Sequence, residues 1–153
     1  MSDRGALILG FALLVTTGCG SSDGDGTPPT PSPPNPTLTN VYRDAVNSSN
    51  CAGVQCHTAP AVLSGFALGT TKDDLYTVLV NQPAAGPKCG QGVDGGPSPF
   101  TRVVPGDPDH SLLFLKLNGT PPCGDAMPTI GNQLSKENIK LVHDWIAAGA
   151  KND

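Results

Sequence analysis

Apolar residues return at helical spacing in four stretches of this chain, separated by segments rich in glycine and proline. Val41, Tyr42, Ala45 and Val46 form one face of a short helix over Val41 to Asn47, with Thr39 or Asn40 placed to cap it. Leu75, Val78 and Leu79 predict a second helix. Thr71 opens it, and Asp73 and Asp74 sit in its first turn, where the helix dipole favours negative charge. A third runs to about Leu117, capped by Asp107 or Asp109 and ended by Asn118-Gly119. Its Leu112, Leu113, Leu115 and Leu117 leave so little polar surface that much of it should be buried. The fourth starts at Ser135 with support from Glu137, aligns Ile139, Val142 and Ile146 beside Leu141 and Trp145, and stops at Gly149. Phe100 to Val104 reads as a short extended piece and Pro105-Gly106-Asp107-Pro108 as a turn. No alternating pattern predicts a sheet. The fold class is therefore all-α, about four helices joined by long Gly/Pro-rich loops.

Composition changes this picture in one respect. Glycine (19) and proline (16) together exceed a fifth of the 153 residues, while aromatics are only 5%. That is a thin supply of large apolar side chains, and a buried prosthetic group or covalent crosslinks would make up the deficit. The net charge of −4 is spread without a basic cluster, which excludes nucleic acid as a partner.

The first forty residues lie outside the helical pattern. Arg4 precedes an apolar run from Ala6 to Val15 that is too short to span a bilayer, and Thr16-Thr17-Gly18 leads into Cys19. Small residues before a cysteine resemble a bacterial lipoprotein signal. That resemblance implies a signal peptide over 1–18 and a lipid-modified Cys19 that anchors the protein to a membrane without a spanning helix. Residues 19–37 read as a disordered tether of Gly, Ser, Asp, Thr and Pro, extending at roughly 3.1 Å per residue where the prolines favour polyproline II. The folded domain is expected over 38–153, in the periplasm or cell envelope.

The candidate chemistry starts at Cys51-Ala-Gly-Val-Gln-Cys56-His57. A cysteine followed directly by histidine closes the motif that attaches haem covalently in c-type cytochromes, with thiols bonded to vinyl groups and imidazole to iron. The motif usually has two residues between its cysteines, and this chain has four. Four residues on a regular helix would place the two thiols about 140° apart, so a loop has to absorb the extra pair, and Gly53 suits one. Four cysteines remain beyond Cys19, and outside the cytoplasm they are expected to be bonded. In one scheme Cys51 and Cys56 carry haem; in the other they form a disulfide. Both schemes pair Cys89 with Cys123. Met127, the only methionine besides Met1, precedes Pro128, which disfavours helical geometry and presents its thioether from a loop. It is either a second axial iron ligand or a filler of a core gap. His110 and His143 read as surface residues, each an alternative sixth ligand. A zinc site of Cys51, Cys56 and His57 lacks a fourth ligand at ordinary spacing, and a redox dithiol uses a Cys-X-X-Cys spacing that is not present.

Cys56-His57, Val104-Pro105-Gly106-Asp107-Pro108 with Ser111-Leu112-Leu113, Met127-Pro128, Leu134-Ser135 and Trp145-Ile146-Ala147-Ala148-Gly149-Ala150 occur in that order. The set resembles the cytochrome-c-like domains of exported bacterial proteins, including the type first described in planctomycetes, over about Val41 to Ala150. The resemblance implies a small class I cytochrome c-like fold holding one haem c, with His57 and Met127 as axial ligands and Cys51 and Cys56 as thioether sites. It also implies single-electron exchange with redox partner proteins, and no enzymatic bond-making. The rival expectation is a haem-free, disulfide-stapled lipoprotein module used for binding or envelope structure.

Overall fold

The computed structural model describes residues 35–49, 51, 56–58, 65–86, 88–90, 92, 96–131 and 133–153. The expected signal peptide, Cys19, most of the tether and Gly53 lie outside the described residues. Those described belong to one compact unit, Ser32–Asp153.

The first helix begins where the sequence places the folded domain but is capped differently. Thr37 is the cap, its hydroxyl accepting from the Asn40 N–H at 3.2 Å, and α1 (Leu38–Asn40) follows. Neither Thr39 nor Asn40 is free for that role: the Thr39 hydroxyl donates to the Asp153 carbonyl at 2.7 Å, and the Asn40 amide to the Asn35 carbonyl at 2.9 Å. From Val41 the helix widens into a π segment, Val41–Asn47. The Cys51 N–H continues this wide spacing by donating to the Val46 carbonyl at 3.1 Å, so the π segment ends by delivering Cys51.

α2 (Lys72–Leu79) opens with a reciprocal capping box. The Thr71 hydroxyl accepts from the Asp74 N–H at 3.1 Å while the Asp74 carboxylate accepts from the Thr71 N–H at 3.0 Å. Leu75 and Leu79 are the residues it buries. α4 (Lys136–Ala147) has the predicted Ser135 cap, and Gly149, at φ 100°, ends it. α4 packs on the π segment and on α3 (Leu112–Leu117). Trp145, fully buried, donates its Nε1–H to the Lys151 carbonyl at 2.9 Å. With Leu38, Val41, Leu75, Val103, Val142 and Ile146 it forms the main core.

The third helix departs from expectation. Asp107 caps only a 3₁₀ turn, Pro108–His110, and α3 starts afresh at Leu112. Between them Ser111 is extended and fully buried. Its hydroxyl accepts from the Val104 N–H at 2.8 Å and donates to the Asp107 carbonyl at 2.7 Å. Those partners claim the oxygen that would have capped α3. The burial of α3 is also less than expected: Leu112 is buried, whereas Leu113, Leu115 and Leu117 are half-covered.

Phe100 to Val104 is extended, as predicted, and forms isolated bridges to Val80, Pro83 and Ser111. Among the described residues no strand forms, and the architecture is all-α. The bridging fixes Arg102 on both sides: its N–H donates to the Gln82 carbonyl at 2.8 Å, and its carbonyl accepts from the Leu113 N–H at 2.9 Å.

Candidate functional site

His57 is 9% exposed. Its carbonyl accepts from the Leu68 N–H at 3.0 Å, closing the loop that also carries Phe66. Gly65 lets that loop lie directly on the Gly86 backbone, since a Cβ there would meet the Gly86 nitrogen at 2.6 Å. The imidazole centroid stands 4.8 Å from the Phe66 ring, tilted by 49°. Burial holds the His57 pKa below its ordinary 6.5. A hydrogen bond with the Phe66 backbone opposes the shift, and the charges of Arg102 and Lys116 add to it. The ring is therefore neutral at pH 7, the form that can donate a lone pair to a metal. Its Nδ1 is buried with no hydrogen-bond partner.

Cys51 and Cys56 are not bonded to each other. Cys51 packs against the main core with Sγ 3.8 Å from the Ala45 carbonyl, and burial, then the neighbouring Cys56, raises its pKa. Cys56 is half-buried.

Two cationic residues complete the surroundings. The Arg102 guanidinium lies 3.9 Å from the centroid of the Phe66 ring. It donates through Nη1 to the Val78 carbonyl at 2.6 Å, while its Nε is buried with no partner. Lys116 on α3 extends its ammonium to the carbonyls of Cys123 and Asp125, at 2.9 and 3.0 Å. Its own carbonyl accepts from the Met127 N–H at 2.9 Å. Lys116 thus ties the Met127 loop to α3 at two points and contributes its charge to His57.

The disulfide common to both sequence schemes is present: Cys89 and Cys123 are bonded, with Cα atoms 5.4 Å apart. Beside it Lys88 and Asp125 form an exposed ion pair at 2.9 Å. Gly124, at φ 66°, threads between the disulfide and Lys116, where an added Cβ would come within 3.0 Å of the ammonium nitrogen. Met127 is half-buried and joined to Pro128 by a cis peptide.

The other two histidines stand apart. His110 is 80% exposed and pairs with Asp107 at 2.7 Å. His143 contacts Asp144 at 2.9 Å and presents its ring to the Phe114 ring at 5.1 Å. Among the described residues no three His, Cys, Asp or Glu side chains group as a metal site. A porphyrin iron takes axial donors from the chain, and a neutral imidazole with an unpartnered nitrogen is one such donor.

Sequence reasoning passed over Arg102 and Lys116. The only available signal for Arg102 was a lone cation between Thr101 and Val103 in an otherwise apolar extended piece. Comparison of the chain with protein-family models, with curated proteins and with solved structures finds no match in any of the three.

Proposed function

We propose that this chain is an exported, lipid-anchored carrier of single electrons that holds one haem c in a cytochrome c-like fold. The observation that carries this reading is His57: a buried, neutral imidazole whose Nδ1 has no partner, directly after one unbonded thiol that has a second within electrostatic reach. A buried polar atom without a partner typically costs 1–3 kcal/mol, and a bound ligand offsets such a cost. When bound, haem supplies a one-electron iron couple.

In this reading His57 would hold the iron and Cys56 would carry one thioether. Cys51 would carry the second. Met127 would be the other iron ligand, on a loop that the Cys89–Cys123 bond and Lys116 hold to the body of the domain. Leu113 and Phe114, packed at the edge of the main core, help exclude water. The partners are redox proteins of the periplasm or envelope, reached from the membrane that Cys19 is anchored to. No residue is assigned a bond-making role.

One observation favours the rival haem-free module. Cys51 rests against the core within electrostatic reach of Cys56, the sulfur that the rival reading joins to it. Expression in a host with haem-attachment machinery separates the readings. The expected product has a Soret band that survives acid-acetone extraction and a mass increased by one haem. A colourless folded product, lighter than the bare chain by the hydrogens of two disulfides, establishes the rival. In the coloured product, Met127→Ala removes any methionine-to-iron charge-transfer band; its persistence excludes Met127 as a ligand.

A further inference from the structure

The charges around His57 do not balance. Two cations lie within electrostatic reach of the neutral His57 from two other parts of the chain, Arg102 from the extended piece and Lys116 from α3. Lys116 has Asp125 within electrostatic reach, although that carboxylate is exposed and already bonded to Lys88. Arg102 has no acid at all: among the described residues it takes part in none of the ion pairs. It is half-buried, and burial lowers its pKa. A partly desolvated cation without a counter-charge is a costly arrangement in a chain that carries more acids than bases.

The geometry says which edge of the guanidinium is spare. Nη1 is committed to the Val78 carbonyl, and the flat face is covered by Phe66. What remains is the side edge of Nε and Nη2, whose two parallel N–H bonds match the two oxygens of a carboxylate. The Nε end of that edge is buried and unpartnered. Among the described residues the only other buried side-chain nitrogen or oxygen without a partner is His57 Nδ1, and both residues contact the same Phe66 ring.

We propose that the ligand of this site carries a carboxylate and that Arg102 receives it through the Nε edge. This rests on the His57-centred site described above and adds the charge of what fills it. The full chain, prepared without haem, is titrated with iron protoporphyrin, a dicarboxylate, and with its neutral dimethyl ester, following the Soret band. The diacid is expected to bind at least tenfold tighter than the diester, and Arg102→Gln to erase the difference. Equal affinity for the two in the unaltered chain overturns the proposal, as does a preference that survives in Arg102→Gln.

If Arg102→Gln fails to fold, Arg102→Lys serves, because it keeps the charge and loses the Nε–H. The diacid-to-diester ratio must then fall, and an unchanged ratio overturns the proposal. Failure of both porphyrins to bind removes the haem reading alone. Sodium benzoate then replaces them, with benzyl alcohol as its neutral control. A rise in melting temperature with benzoate only, absent in the Arg102 variant, supports the carboxylate site; no rise overturns it.

Discussion

The α4 side of the domain and the His57 side treat buried polar groups in opposite ways. Around α4 they are paired: the Trp145 indole has the Lys151 carbonyl, and the Ser111 hydroxyl serves both Val104 and Asp107. Around His57, Nδ1 and the Arg102 Nε are buried and unpaired, and the two thiols are unbonded. A folded chain retains such atoms where something other than stability is selected. The contrast separates a part whose polar groups hold the domain together from the part where we propose a ligand sits.

Three measurements press on that contrast. Trp145→Ala should have the largest effect, destabilising by about 3–5 kcal/mol in chemical denaturation, because it empties a fully buried site and strands the Lys151 carbonyl. A loss below about 1 kcal/mol would mean that α4 is not the stable half.

Removing the crosslink as Cys89→Ser with Cys123→Ser should come next. Its separation of 34 residues gives about 4 kcal/mol as an upper figure in the chain-entropy model. The loss should be accompanied by faster proteolysis around Gly124 and Met127, the segment it clips to Lys88. In haem-loaded protein the same change should weaken the methionine band; an unaltered ligand-field spectrum would show that the crosslink does not support Met127.

His57→Leu should have the smallest effect, within about 1 kcal/mol of the unaltered chain, because removing the unsatisfied buried Nδ1 offsets the lost hydrogen bond with the Phe66 backbone. A loss above about 2 kcal/mol would place His57 with Trp145 as a structural residue. The same variant has a pH signature. The folded-state pKa of His57 lies below its ordinary 6.5, so below that pH the unfolded chain takes up the proton first. The His57 contribution to stability is intact above pH 6.5 and falls with pH through the lowered folded value. Urea midpoints measured from pH 7.5 to 5 should show a steeper decline for the unaltered chain than for His57→Leu, and parallel curves would contradict a buried neutral imidazole.

The parts that the sequence made legible are those settled within a few residues. Thr71 with Asp74, Ser135 at the start of α4 and Gly149 at its end act on neighbours three or four positions away, and all stand where the pattern puts them. The misplaced features depend on distant partners. The first cap moved to Thr37 because Thr39 is engaged by Asp153, and the third helix broke at Ser111 because Val104 claims its hydroxyl. The candidate site divides in the same way. Cys56-His57 and Met127-Pro128 are visible as adjacent letters, whereas Arg102 matters through Val78 and Phe66, from two other segments. Burial without a partner is likewise invisible until the chain is folded.

The bonds at Asp153 carry one mechanical consequence. Its carboxylate accepts from the Leu38 N–H at 2.8 Å and its carbonyl from the Thr39 N–H at 3.1 Å, so the strand of chain entering at Thr37 is buckled to residues just beyond α4. A pull on the chain ahead of Thr37 is borne first by that buckle and by the Trp145 core behind it.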